Sequence, residues 1–107
     1  MNSKRVTLIL SRAVSHVMLE DIRAIVPAAA LSVFINTLDE TRYVTVECLQ
    51  SEENCALLAS AIVVWRQLGQ IQHIDYHKGD RLRQIADATQ FELFSMMKTH
   101  RALLRLA

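Results

Sequence analysis

The stretch LSVFINTLDETRYVTVECL, residues 31–49, decides the fold. Leu31, Val33 and Ile35 alternate with Ser32, Phe34 and Asn36, and Val44, Val46 and Cys48 alternate with Tyr43, Thr45 and Glu47. A period of two sends successive side chains to opposite faces of a strand. The polar loop around Asp39 to Thr41 is short, so the two strands read as an antiparallel hairpin.

Toward the N-terminus the same alternation recurs, with Val6, Leu8 and Leu10 against Thr7, Ile9 and Ser11. Met18, Ile22, Ile25 and Val26 then follow at helical spacing, with Ser15 as the expected N-cap. Pro27 ends that helix, because its ring disfavours the helical conformation in the residue before it. Toward the C-terminus, Ser51 caps a second helix with Glu52 and Glu53 in its first turn, and Gly69 stands where a left-handed terminating residue is expected. Ile71 to His77 reads as a fourth strand. Gly79 and Asp80 open a third helix along Leu82, Ile85, Thr89, Leu93, Met96 and Leu103, about 40 Å long if unbroken.

This order is the split β-α-β, or ferredoxin-like, α+β pattern βαββαβ with an added long C-terminal helix. Right-handed crossovers place the first two helices on one face of a four-stranded antiparallel sheet, whose central strands are the first and third. The 107 residues make a single domain, with a ferredoxin-like core at 1–79 and the C-terminal helix at 80–107. The hydrophobic fraction of 51% against 21% charged residues is globular and excludes disorder along the whole length. A formal charge of +1 supplies no overall field for holding a polyanion.

The apolar run Val6 to Leu10 is shorter than the roughly 7 to 15 residues of an export signal. Arg66 closes the run Ala61 to Trp65 well short of the about 18 residues that span a bilayer. A cytoplasmic chain without a membrane span is expected.

Candidate chemistry is sparse. Cys48 and Cys55 lack the C-x-x-C spacing of a redox or zinc site and read as buried, reduced thiols. His73, Asp75 and His77 alternate on one strand face, but the two histidines lie about 13 Å apart along it and do not converge on one ion. They read as the solvated side of an edge strand, and neither a metal nor a cofactor is expected. No nucleophile stands in a catalytic motif beside His16, His73, His77 or His100, so the chain reads as no enzyme. Gly69 and Gly79 are the only glycines, which leaves no glycine-rich phosphate loop. Lys98, Arg101 and Arg105 recur along the expected last helix, where the macrodipole favours cations. Arg42 to Leu49 lacks the glycine and aromatic pattern of an RNA-recognition strand and carries Glu47, which argues against nucleic acid.

One sheet face should carry Thr7, Ile9, Phe34, Tyr43, Thr45 and Glu47, covered either by the third helix or by a partner. Ile9, Phe34, Tyr43 and Glu47 are the expected partner-binding residues, and the apolar content of this face predicts a homodimer.

Val44-Thr45-Val46-Glu47, Ser51-Glu52, Leu58, Ile62 and Tyr76-His77 carry a resemblance that runs from Ser11 to Lys78. In these the chain resembles the NapD family, small cytoplasmic ferredoxin-like chaperones that bind the twin-arginine signal peptide of the periplasmic nitrate reductase. The chain departs from that pattern at Ala28-Ala29-Ala30 and Leu68-Gly69-Gln70, where the family has Pro-Gly turns. The resemblance implies a peptide- or protein-binding module that recognises its partner at the sheet, with Glu47 meeting cationic residues. The rival expectations are a dimeric, small-ligand regulatory domain of ACT-like type and a structural subunit of a larger assembly.

Overall fold

A computed structural model describes residues 4–36, 43–78 and 80–107. The elements in chain order are β1 (Arg5–Ser11), α1 (Arg12–Ile25), a single 3-10 turn (Ala28–Ala30), β2 (Leu31–Asn36), β3 (Tyr43–Leu49), α2 (Glu52–Gln67), β4 (Ile74–Lys78), β5 (Arg81–Gln84), α3 (Gln90–Met97) and β6 (Leu103–Leu106). The fold is α+β, a mixed six-stranded sheet in the order β2-β3-β1-β6-β4-β5.

Alternation in the first half of the chain works as its sequence predicts. Val6, Leu8 and Leu10 stand beside Cys48, Val46 and Val44 in the antiparallel β1–β3 pair, and all six are buried. Leu58 and Ile62 of α2 and Met18 and Ile22 of α1 close over them. Ser51 accepts a hydrogen bond from the Asn54 amide and caps α2. At the other end Gly69 adopts φ +74, its amide donating to the Arg66 carbonyl and that of Gln70 to Trp65. This pairing is a Schellman closure, and it needs the left-handed residue that glycine supplies at no steric cost.

The cap of α1 differs from expectation. Ser11, not Ser15, takes the Val14 amide at 3.3 Å, while the Ser15 hydroxyl donates to the Arg12 carbonyl inside the first turn. The chain therefore passes from strand to helix with no loop between them.

The C-terminal third overturns the long helix expected at 80–107. Arg81–Gln84 pairs with β4 as an edge strand, and Thr89 then starts a helix of eight residues. Its hydroxyl accepts from the Glu92 amide while the Glu92 carboxylate accepts from the Thr89 amide, a reciprocal capping box that fixes the helix start nine residues beyond Asp80. The helix ends at Lys98, and Arg101 at φ 53 turns the chain into β6. Leu82 is exposed, so the apparent helical line through Leu82, Thr89 and Leu103 joins residues of three different elements.

The ferredoxin-like four-stranded sheet is corrected with it. β6 inserts between β1 and β4, parallel to the first and antiparallel to the second. Its alternating Leu104 and Leu106 are fully buried, which fills the slot where β4 would otherwise meet β1. β4 is consequently an interior strand rather than the edge expected for His73 to His77, and β5 takes the edge. The expected basic stripe is dispersed as well: Lys98 caps α3, Arg101 lies in the turn, and Arg105 lies on β6.

The buried positions of β1, β3, β4 and β6 lie on one side of the sheet, the side of the helices. α3 packs on α2 and sends Leu93 and Met97 into the core, and Gln50 donates to the Met97 and Thr99 carbonyls at its end. No helix among the described residues is long and apolar enough to cross a membrane.

Candidate functional site

With the helices on one side, no element among the described residues covers the second side of the sheet. Cross-strand register fixes which residues share it, because partners directly opposite in a ladder point to the same face. One row runs Phe34, Thr45, Ile9, Arg105, Asp75 and Gln84 from β2 to β5. The neighbouring row runs Ser32, Glu47, Thr7, Leu103, His77 and Leu82. Six strands at the usual spacing make each row about 24 Å long. Tyr43 lies one step beyond the first row, opposite Ser11.

Ile9, Phe34, Tyr43 and Glu47 therefore share this face. Phe34 is 55% exposed, and the other three are half-buried among neighbouring strand residues. Glu47 has a cation beside it: Arg5 approaches to 3.9 Å and also donates to the Ser32 hydroxyl at 3.1 Å. Both charged side chains remain about 40% exposed, where water screens the attraction.

The other half of the face has no counterpart in the sequence expectations, which place Leu103 and Arg105 on a helix and the fourth strand at the edge. Arg105 stands between Ile9 and Asp75. Ile9, Ser11, Tyr43, Asp75 and Arg105, with Ala107, line a recess of about 270 Å³. The Oδ1 atom of Asp75 and the Nε2 atom of His77 are buried and have no hydrogen-bond partner among the described residues. The signal in the sequence was the alternation Leu104-Arg105-Leu106, too brief to be distinguished from a helix end by period alone.

Cys48 and Cys55 are buried and free. Burial pushes the Cys48 thiol up to about 11, with Cys55 adding to the rise and Arg5 opposing it. Burial raises Cys55 too, against the pull of Lys98. Neither thiol has the thiolate character that nucleophilic chemistry requires. Among the described residues no three His, Cys, Asp or Glu side chains are grouped to hold a metal ion.

Comparison with protein-family models, with curated proteins and with solved structures yields no match.

Proposed function

We propose that this chain is a non-enzymatic binding module that holds a basic, partly apolar peptide segment on the uncovered face of its sheet. The observation that carries the reading is the segregation of all three helices to one side, which leaves six strands with an open face of mixed apolar and charged character. The backbone groups of the interior strands are engaged in the ladders, so recognition falls to side chains. Phe34, Ile9 and Tyr43 offer apolar area, and the half-exposed Glu47 carboxylate offers an acceptor for arginine. A twin-arginine signal peptide has this chemistry, and the NapD-like resemblance points the same way.

Calorimetry with a panel of twin-arginine signal peptides tests the reading. Expected is saturable binding that falls when the paired arginines are replaced by glutamine. Heats no larger than dilution for every peptide would overturn it. A second reading, a dimeric small-ligand regulatory domain of ACT-like type, draws on the recess between Tyr43, Asp75 and Arg105. Sedimentation that gives a dimer, together with the absence of peptide binding, would favour it.

A further inference from the structure

A second feature lies on the helix side of the sheet, remote from the face discussed above. In the β4–β5 hairpin Lys78 stands opposite Arg81, and Tyr76 opposite Arg83. Tyr76 is buried against the helices, so Lys78, Arg81 and Arg83 share its side of the sheet. Ser95, Met96 and Thr99 at the end of α3 face them across a cleft of about 600 Å³. Its floor is tied together: the Thr99 hydroxyl donates to the Met96 carbonyl at 2.6 Å and is 2.8 Å from the Tyr76 hydroxyl.

Among the described residues lining this cleft there is no carboxylate. Among the described residues no acid lies within ion-pair distance of Lys78, Arg81 or Arg83, although Arg83 helps to hold the Glu92 carboxyl below its ordinary value. Two like charges directly opposite on adjacent strands repel and destabilise the pair. An edge strand needs a charge to deter aggregation, but one arginine serves that purpose. It does not account for three cations on one face of a concave site, in a chain whose formal charge is only +1.

We propose that this cleft binds a small organic phosphate, a ligand with at least two phosphoryl charges and an apolar body. The guanidinium forks of Arg81 and Arg83 suit phosphoryl oxygens, and Lys78 adds a point charge. Met96 supplies apolar wall for the rest of the ligand, and the volume is that of ordinary small-molecule sites. A nucleic-acid strand would need an extended basic track, which the concave shape and the balanced charge of the chain do not provide.

The test is titration calorimetry with inorganic pyrophosphate and with adenosine diphosphate, at about 0.1 M salt so that nonspecific attraction is screened. Expected is one saturable site per chain for each probe, with the nucleotide the tighter. Lys78→Gln and Arg81→Gln should each weaken both probes about tenfold or more, the loss of a charged hydrogen bond. Both residues are exposed, so these variants should keep the parent melting temperature. Arg23→Gln removes an exposed cation from the last turn of α1, which contributes no residue to the cleft, and should leave binding unchanged. The proposal is overturned if neither probe saturates, or if Arg23→Gln weakens binding as much as Arg81→Gln. It is also overturned if only single-stranded RNA binds.

Discussion

Leu104 stands directly opposite Leu8 in the parallel β1–β6 pair, and both are fully buried. On its other side Leu104 meets Tyr76 of β4. β6 is therefore the joint between the three-stranded half β2-β3-β1 and the hairpin β4-β5, formed by the last residues of the chain. Leu104→Ala leaves a cavity in the core beside Leu8 and Tyr76, and should cost about 2 to 5 kcal/mol in a urea titration. Leu58→Ala, on the helix side of the same core, should cost a similar amount, about 2 to 5 kcal/mol. A Leu104→Ala variant within about 0.5 kcal/mol of the parent would show that β6 does not hold the halves together.

The two longer helices are joined by one polar contact. The Trp65 indole donates to an Asp21 carboxylate oxygen at 2.8 Å, and Trp65 is only 2% exposed. Asp21→Ala would strand a buried donor at a cost of about 1 to 3 kcal/mol, whereas Asp21→Asn keeps an acceptor and should lose less. Equal thermal shifts for the two variants would remove the hydrogen bond from the account.

The strand periods at Val6 to Leu10 and Val44 to Cys48 are legible because each runs through several alternations and buries one face, and the alternation of Leu31, Val33 and Ile35 is legible too although Ile35 stays exposed. That is also why the shared face of Ile9, Phe34, Tyr43 and Glu47 follows from sequence alone. The C-terminal third differs from expectation for a physical reason. Arg81–Gln84 and Leu103–Leu106 have four residues each, too few to establish a period, and a spacing of three and four runs across them by chance. The corrective signal was present at Thr89-Gln90-Phe91-Glu92, the capping-box pattern ahead of an apolar run. Parallel pairing of β6 with β1 has no local signature, because it is set by the slot left between distant strands.

The capping box on α3 carries its own pH dependence. The backbone and side chain of Thr89 hold the Glu92 carboxyl below its ordinary value. A depressed carboxylate stabilises the fold above its unfolded value and loses that contribution as the pH falls through its folded value. Amide exchange in α3 should therefore quicken on acidification, and Glu92→Gln should flatten the response. Thr89→Ala should cost about 0.5 to 2 kcal/mol at neutral pH. Exchange rates in α3 that respond to acid alike in the parent and Glu92→Gln proteins would contradict this.

Cys48 sets a limit at the alkaline end. Its thiol ionises at about 11 in the folded chain against a reference of 9.0, chiefly because it is buried. A raised folded value means that the contribution is intact below 9.0 and is lost as the pH rises toward 11. Cys55 shifts in the same direction. The difference in stability between the parent and a Cys48→Ala, Cys55→Ala double variant should therefore shrink over that interval, as the parent alone weakens. Parallel denaturation curves for the two proteins across the interval would refute it.

Glu47 separates the binding role from the folding role. Its contact with Arg5 is 3.9 Å long and both side chains are well exposed, so the pair is worth about 0 to 1 kcal/mol. Glu47→Gln keeps the shape and an acceptor, and the melting temperature should barely move. If the face receives an arginine-bearing peptide, the same change removes a charged hydrogen bond and weakens the peptide by about 1.5 to 3 kcal/mol. Arg5→Gln discriminates further, because it frees the Glu47 carboxylate from its intramolecular partner and should strengthen the peptide rather than weaken it. A Glu47→Gln variant that loses stability while peptide affinity is unchanged would assign Glu47 to the fold alone.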